Sequence, residues 1–393
     1  MAERPSPLSA RAAEIAPFYV MELLARARAL ETAGRSIVHM EIGEPDFATP
    51  APIVEAGLHA LREGRTHYTP TLGLPALREA ISGFYRRRYG VAVAAERIIV
   101  TPGASGALQL ALAVLVDPGR EVLIADPGYP SNRHLVRLFD GKAVGLPVGA
   151  GQHFQLTAAQ IAAAWTPDSV AVLLASPSNP TGTLVADEQL ARIISEVETR
   201  GGRVIVDEIY QGLVYGDAAS ITALALSSEV FVVNSFSKYF GMTGWRVGWL
   251  VAPEEYVPAL DRLAQNMFLA ASTPAQYAAL AAFRPETLAI LETRRREFAR
   301  RRDYLIPALR ELGFDIPVVP GGAFYVYADC RKFTDDSFAF AMALLEKAGV
   351  CITPGLDFGT HQPARYLRFA YTTSFEQLQE GVRRLRRYLA ASP

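Results

Sequence analysis

The sequence predicts an α/β fold, in which a mostly parallel central sheet has helices on both faces and a smaller α+β domain is attached. Short β-rich runs alternate with amphipathic helical stretches from about residue 50 to 280. These runs are apolar throughout, which is typical of parallel strands that are covered on both faces. After residue 285, strand-like segments stand among longer helical ones. We therefore expect a large domain over residues 46–285 and a small domain formed by both chain ends, residues 1–45 and 286–393.

The large domain has these candidate strands: RIIVT (97–101), EVLIAD (121–126), VAVLLAS (170–176), RVIVDE (203–208), VFVVNS (230–235) and RVGWLVA (246–252). Between them, ALQLALAVLV and DEQLARIISEVETRG have the pattern of helices, and a Gly pair ends the second as glycine often does. In the small domain, a long helix leads to the strand-like segments AFYVYADC and YLRFAYTT. A helical stretch separates these two segments, and a terminal helix begins at Phe375.

Composition indicates a globular protein without a bias towards polyanions. The 393 residues include 39 Lys and Arg and 40 Asp and Glu, which gives a net charge of −1. No overall field therefore favours nucleic acid or an anionic membrane. The basic run RRREFARRR (294–302) lies in a stretch with helical spacing and predicts a solvated helix face.

Cysteine and histidine do not indicate a metal site or a disulfide framework. Cys330 and Cys351 lack the spacing of either, and the six His residues show no ligand pattern. The first residues lack the apolar core of a signal peptide, and the apolar runs are too short to span a membrane. We therefore expect a cytoplasmic protein that binds no metal.

Chemically suggestive residues follow five of the candidate strands. They are Gly103, Ala104 and Ser105, then Tyr129, then Asn179, then Asp207 and Tyr210, and finally Ser235, Ser237 and Lys238. In open α/β sheets, ligands bind beyond the carboxyl ends of the strands. The five loops are therefore expected to converge on one site.

Lysine is rare in this chain, and one lysine stands in this set. Of the 39 basic residues, only Lys142, Lys238, Lys332 and Lys347 are lysines. Arginine is always charged, whereas a lysine beside hydroxyls and aromatic rings can lose its proton and form a Schiff base. A surface lysine is the alternative interpretation, and we favour it for the other three.

Two further features suggest a particular ligand. TPGASGALQLAL places small residues where a helix begins, and free N–H groups there suit a phosphate, although a tight strand–helix turn explains the pattern equally well. Asp207 ends a buried strand, where a carboxylate is costly unless it pairs with a cation, and a loop-capping aspartate is the alternative. A lysine for an aldehyde, a phosphate cradle, an acid for a ring nitrogen and an aromatic to stack on the ring are what pyridoxal phosphate requires.

From EIGEPDF (41–47) to RFAYTTS (368–374), the chain resembles the class I/II, fold-type I aminotransferases, which depend on pyridoxal phosphate. HYTPTLG, SPSNPTG, DEIY and SFSKYFGMTGWRVG occur in the order typical of that family. The resemblance implies three catalytic residues. Lys238 would form a Schiff base with the cofactor and then move a proton between the substrate Cα and C4′ of the cofactor. Asp207 would keep the ring nitrogen protonated, and Tyr210 would bind the 3′-oxygen of the ring.

The resemblance also implies the residues that bind cofactor and substrate. Those for the cofactor, besides Lys238, Asp207 and Tyr210, are Gly103, Ala104, Ser105, Tyr129, Asn179, Ser235, Ser237, Arg246 and, from the partner of a homodimer, Tyr68 of the partner subunit. For the substrate, Arg368 would grip the α-carboxylate with help from Asn179 and the Gly43 backbone, and Phe18 would lie in a helix that closes over it. A structural ion pair remains the alternative for Arg368, and a helix-start hydroxyl for Ser237.

Two details of the backbone and assembly follow from the same resemblance. The Asn179–Pro180 and Asp126–Pro127 bonds are expected to be cis. The segments HYTPTLG (67–73) and NMFLAAST (266–273) are expected to cross the interface of the homodimer.

The predicted activity is transfer of an amino group from an L-amino acid with a neutral, aliphatic or aromatic side chain to a 2-oxo acid. Ser105 stands where a basic residue would meet an aspartate side chain, and Phe18 and Tyr19 would leave a second carboxylate unpaired. A carbon–sulfur β-lyase or an aminocyclopropane carboxylate synthase would share nearly all these residues. An aminotransferase-like regulator that binds DNA is disfavoured, because only about forty residues precede EIGEPDF.

Overall fold

The computed structural model describes residues 8–216 and 221–391. The strands are β1 (Val38–His39), β2 (Ile98–Thr101), β3 (Glu121–Asp126), β4 (Lys142–Pro147), β5 (Ser169–Ala175), β6 (Arg203–Asp207), β7 (Phe231–Ser235), β8 (Gly248–Val251), β9 (Tyr325–Asp329), β10 (Val350–Cys351), β11 (Thr353–Pro354) and β12 (Tyr366–Ala370). The helices are α1 (Ala10–Glu14), α2 (Tyr19–Thr32), α3 (Ala51–Arg62), α4 (Pro75–Tyr89), α5 (Gly103–Leu115), α6 (Pro130–Leu138), α7 (Ala158–Ala164), α8 (Asp187–Thr199), α9 (Val257–Met267), α10 (Thr273–Leu280), α11 (Pro285–Leu312), α12 (Ser337–Ala343) and α13 (Phe375–Ala391).

Seven of the described strands form one sheet in the order β2-β8-β7-β6-β5-β3-β4. β8 is antiparallel to both of its neighbours, and the other strands share one direction. This confirms the predicted α/β fold with a mostly parallel sheet, and all six candidate strands belong to it. Only β4 was not predicted, because an edge strand that is partly exposed lacks a continuous apolar run.

The apolar strands supply two cores, one on each face of this sheet. Val122 and Ile205 pack with Leu108 of α5 on one face. The residues that follow them, Leu123 and Val206, belong to the core on the opposite face. Successive side chains of a strand point to opposite faces, so both must be apolar when helices cover both sides.

The chain ends come together beside this sheet. β11, β12 and β9 form an antiparallel sheet, and β1 pairs in parallel with β10. The backbone of Met40 is held from both sides, since its N–H donates to Cys351 O at 2.9 Å and its carbonyl accepts from Ala370 N at 2.7 Å. Residues 38–40 are thus bound to a region more than three hundred residues away. The domain boundaries at residues 45 and 285 stay a prediction.

The long helix after residue 285 is α11, and it ends at Gly313, whose φ of 102° is in the left-handed region that suits glycine. The prediction that its basic run is a solvated face is wrong for Arg301. That residue is 3% exposed, and its guanidinium pairs with both carboxylate oxygens of Asp46, at 2.8 and 3.0 Å. A buried cation needs such a partner, and Asp46 lies too far away in sequence for helical spacing to reveal it. Within the described ranges, no helix is both long and apolar enough to cross a bilayer.

Candidate active site

A cavity of about 380 Å³ opens at the carboxyl edge of the large sheet. Its walls come from the loops after β5, β6 and β7, from the first turn of α5, from α2 and from the loop after β1. Arg368 of β12 also lines this cavity. The loops that were predicted to converge therefore meet there.

Lys238 follows β7 and points into this cavity. Its Nζ donates to the carbonyl of Gly43 at 2.7 Å. Burial, reinforced by the nearby charges of Arg368 and Arg246, lowers the pKa of Lys238 to about 8, although Glu44 and Asp207 oppose this. The uncharged amine, which a nucleophile or base requires, is therefore far more abundant near neutral pH than it is for an ordinary lysine.

Buried aromatic rings anchor the loop that carries Lys238. Phe236 packs on Trp249 with ring centroids 4.9 Å apart and on Phe240 at 5.0 Å. All three rings are buried in the core. The aromatic residues around the lysine thus fix the position of the loop, and they do not line the cavity.

Asp207 is the last residue of β6 and is a buried carboxylate. Its Oδ1 accepts from the N–H of Ile209 at 3.0 Å. No ion pair reaches it from any residue in the described ranges, and burial raises its pKa to about 6. A protonated ring nitrogen placed beside Asp207 would supply the missing cation and lower that pKa again.

Tyr210, Asn179 and Arg368 are joined by hydrogen bonds around the same cavity. Tyr210 Oη lies 2.8 Å from Tyr325 Oη, and Arg368 Nη1 donates to Asn179 Oδ1 at 2.9 Å. A Cβ at Gly43 would lie 2.0 Å from Tyr325 Oη, so only glycine fits there. Sequence reasoning missed Tyr325, because AFYVYADC carries no signal beyond that of a buried strand.

Arg368 is a buried cation without a carboxylate partner among the residues described. Its Nη2 donates to the Glu41 carbonyl and to Thr353 Oγ1 at 3.1 Å, whereas its Nε is buried and unpaired. Its guanidinium lies 4.4 Å from the centroid of the Tyr325 ring. The alternative of a structural ion pair is therefore not supported. A carboxylate that enters the cavity would complete the coordination of this guanidinium.

The predicted phosphate residues lie together where α5 begins. Gly103 has a φ of +70°, and a Cβ there would lie 2.5 Å from Arg246 Nη2. Arg246 Nη1 contacts Ser237 Oγ at 3.5 Å, and Ser237 Oγ accepts from Ser235 Oγ at 3.0 Å. Ala104 stands in the first turn of α5, where backbone N–H groups have no helical acceptor. A guanidinium, hydroxyls and free N–H groups at a helix start fit a phosphate.

The remaining predicted residues divide into those at the cavity and one outside it. Tyr129, Ser105, Phe18 and Gly43 line the cavity. Tyr68 does not, and 82% of its surface is exposed. Taken together, the unpaired Asp207, the amine of Lys238 and the cradle beside Gly103 fit pyridoxal phosphate.

Helix α2 forms the roof of the cavity. Phe18, Met21, Leu24 and Arg28 line it from this side. The carboxylate of Asp357 accepts from the N–H groups of Tyr19 and Val20 at 2.6 and 2.9 Å and so caps the first turn of α2. Sequence reasoning missed Asp357, because its partners lie 338 and 337 residues away.

The backbone of the loops around the site agrees with the predicted cis bonds. Asn179–Pro180 and Asp126–Pro127 are both cis, which confirms that prediction. Ser176–Pro177 is also cis and was not predicted.

Comparison with known proteins places this geometry in a family. Residues 35–385 match the family described as aminotransferase class I and II. The chain is 39% identical to valine–pyruvate aminotransferase of Mycobacterium tuberculosis, over 96% of this chain and 97% of that protein. It is 36% identical to a probable aspartate/prephenate aminotransferase of Aquifex aeolicus, over 97% of this chain and 98% of that protein.

Solved structures give the same result. A crystal structure of an aminotransferase from Mycobacterium tuberculosis superposes with a TM-score of 0.95 at 37% identity, and covers 98% of this chain and 99% of the other. The aspartate aminotransferase of Thermus thermophilus with maleate gives a TM-score of 0.91 at 34% identity, and covers 97% and 99%. These relatives favour amino transfer over the lyase and the DNA-binding regulator. The chain therefore belongs to the class I and II aminotransferases, which use pyridoxal phosphate.

Proposed function

We propose that this aminotransferase takes the amino group of an L-amino acid with a neutral, aliphatic or aromatic side chain and transfers it to a 2-oxo acid. The observation that carries this proposal is the apolar face of α2, where Phe18, Val20, Met21 and Leu24 line the cavity. Each buried methylene favours an apolar substrate by about 1–3 kcal/mol, whereas an unpaired carboxylate there is costly. The relative named valine–pyruvate aminotransferase supports the same substrate class.

The catalytic roles follow from the contacts at the cavity. Pyridoxal phosphate supplies an aldehyde carbon that accepts the amino group and a ring that takes up the electron pair left at Cα. We assign Lys238 Nζ as the amine that would hold this aldehyde group and as the base that would move the proton at the substrate Cα. Its pKa of about 8 suits both tasks. Asp207 provides the negative charge that keeps the ring nitrogen protonated, and Tyr210 donates to the 3′-oxygen.

Substrate and phosphate are assigned to two separate cations. Arg368 binds the α-carboxylate through its fork of N–H groups, while Asn179 holds the guanidinium in place at 2.9 Å. Arg246, with Ser235 and Ser237, binds the phosphate. Tyr129 stacks on the ring from the cavity wall.

A second substrate class is favoured by one observation on the same helix. Arg28 lines the cavity one turn beyond Leu24, and no carboxylate within the described ranges pairs with it. Arg26, by contrast, is paired with Glu346. Several relatives are named aspartate aminotransferases, at 34 to 36% identity. A dicarboxylic substrate that reached Arg28 would give this enzyme acidic specificity instead.

Steady-state kinetics on a panel of donors distinguishes the two classes. We expect valine, leucine, methionine, alanine or phenylalanine to exceed aspartate in kcat/KM. If aspartate exceeds every neutral donor about a hundredfold, a difference of about 2.7 kcal/mol, the neutral assignment is wrong. The variant Arg28→Met then decides whether Arg28 is responsible, and Arg26→Met, which removes a paired arginine from the same helix, is its control.

We further propose that the active unit is a homodimer in which Tyr68 of the partner subunit reaches the phosphate. The exposed Tyr68 side chain supports this, since it lies outside the cavity of its own chain and is accessible to a partner subunit. The two segments expected at the interface also contact each other, because Thr273 Oγ1 donates to the carbonyl of His67 at 2.7 Å.

A further inference from the structure

The residue whose backbone contacts the substrate-binding arginine carries a buried carboxylate that the proposed mechanism does not use. Glu41 has no exposed surface, and it lines the cavity. Its backbone carbonyl accepts hydrogen bonds from Arg368 Nη2 and from Thr353 Oγ1, the latter at 3.1 Å. A bare negative charge on this residue would compete with the substrate carboxylate for the field of Arg368.

His39 is the residue that compensates this charge. Its Nδ1 lies 2.7 Å from Glu41 Oε1, and its Nε2 lies 3.1 Å from Glu31 Oε1 on α2. Carboxylates only accept hydrogen bonds when they are ionised, so both ring nitrogens must donate, and the imidazole is then positively charged. The Cys351 thiol also interacts with Glu41 but is uncharged, so His39 is the direct counterion of Glu41 among the residues described.

The backbone connects this pair rigidly to Arg368. Between His39 and Glu41, Met40 is hydrogen-bonded to Cys351 of β10 and to Ala370 of β12, the strand that carries Arg368. The backbone of Glu41 is therefore fixed relative to the guanidinium, whereas its side chain is held by His39.

We propose that His39 is a positioning residue for substrate binding, because its imidazolium neutralises and holds Glu41 and so keeps Arg368 free for the carboxylate of the substrate. This inference rests on the proposed role of Arg368. It assigns no contact between His39 and the substrate, and it predicts that loss of the His39 proton weakens substrate binding.

The groups around His39 determine the pH at which it loses its proton. The hydrogen bond to Glu41 raises the pKa of His39 from 6.5 to about 9, with a smaller contribution from Glu31 and against the effect of burial. On β10, the facing residue is Cys351, and burial raises the pKa of its thiol, which is therefore uncharged. On α13, Glu380 and Arg384 pair with each other. The imidazolium is therefore charged at neutral pH and loses its charge as the pH rises through about 9.

The test uses the enzyme loaded with pyridoxamine phosphate, in single turnovers with pyruvate and with 2-oxoglutarate. Neither acid has a group that titrates in the alkaline range. His39→Asn keeps a neutral donor for Glu41 but removes the charge. We expect the half-saturating concentration to rise about tenfold, while the rate at saturation changes by less than about twofold. The double variant His39→Asn/Glu41→Gln removes both charges and is expected to restore binding, which a merely structural role would not do.

Two further measurements complete the test. In the wild type, the half-saturating concentration of the 2-oxo acid should increase when the pH exceeds about 9. This increase should be absent from the double variant. Independently, NMR of the histidine rings of the apoenzyme should show His39 titrating near pH 9, and Glu41→Gln should shift this titration downwards. His59→Asn, a change in an exposed residue of α3, is the control. Unchanged binding by His39→Asn, or no rescue by the double variant, overturns the inference. If Arg368→Gln binds both acids normally, the proposed role of Arg368 is wrong instead.

Discussion

At the scale of single residues, burial determines the chemistry of the candidate site. The same exclusion of water lowers the pKa of Lys238 to about 8 and raises that of Asp207 to about 6. Both shifts arise because burial disfavours the charged form. A nearby partner of opposite charge would partly reverse each of them. An arginine in place of Lys238 would stay charged under the same conditions, which explains why a chain rich in arginine has a lysine here.

The shifted pKa of Lys238 leads to a prediction for the apoenzyme. Only the uncharged amine reacts with an acylating reagent, so the labelling rate of Lys238 should increase with pH and reach half of its limit near pH 8. Competitive acetylation followed by mass spectrometry measures this rate against Lys142, an exposed lysine of the same chain. A labelling rate that is half-maximal near pH 10.5, the ordinary pKa of lysine, would show that burial does not lower the pKa of Lys238.

Residues that belong to local motifs could be predicted from the sequence, whereas residues defined by distant contacts could not. Lys238, Asp207 and Asn179 were identified, and the structure brings them to one cavity. Tyr325 and Asp357 were missed, because their functions depend on Tyr210 and α2, which lie more than a hundred residues away. A tyrosine in a strand and an aspartate in a loop carry no local sign of such partners.

At the scale of elements, α2 controls the size and polarity of the cavity. It reaches the site with an apolar face and is held at its first turn by Asp357. The six apolar strands could be predicted because burial on both faces leaves a continuous signal. A helix that closes over the substrate was implied by the family resemblance at Phe18, and not by the periodicity of α2. Its exposed and buried positions give only a weak helical pattern until the cavity is known.

The cap of α2 leads to a second prediction. Asp357→Ala removes the acceptor for two N–H groups, which should cost about 1 kcal/mol of stability, as is usual for an N-cap. It should also raise KM for neutral donors several-fold and increase hydrogen exchange over residues 19–32. Thr157→Ala is the matched control, since Thr157 caps α7, which does not contact the cavity. Equal KM values for the two variants would show that Asp357 stabilises the fold without ordering the site.

At the scale of the whole molecule, the sheet order places every proposed catalytic loop at one edge, and the chain ends also line the cavity. Arg368 lies on a strand of the second sheet, while Asp207 ends one strand of the first sheet and Lys238 follows another. The site therefore depends on the position of the two sheets relative to each other. The predicted residue Tyr68 lies outside the cavity of a single chain, and 82% of its surface is exposed.

The exposed position of Tyr68 leads to the last prediction, that two inactive variants restore each other. Tyr68→Ala lacks the side chain offered to the partner, and Lys238→Ala lacks the amine. In a hybrid dimer, one site combines the intact Lys238 of one subunit with the intact Tyr68 of the partner subunit, and the other site lacks both. Random pairing of equal amounts makes half of the dimers hybrid, so activity should reach about a quarter of the wild-type value after subunit exchange. Unmixed variants, treated identically, provide the baseline. If the mixture is no more active than the sum of its parts, or if the wild type is fully active as a monomer, each site is complete within one chain.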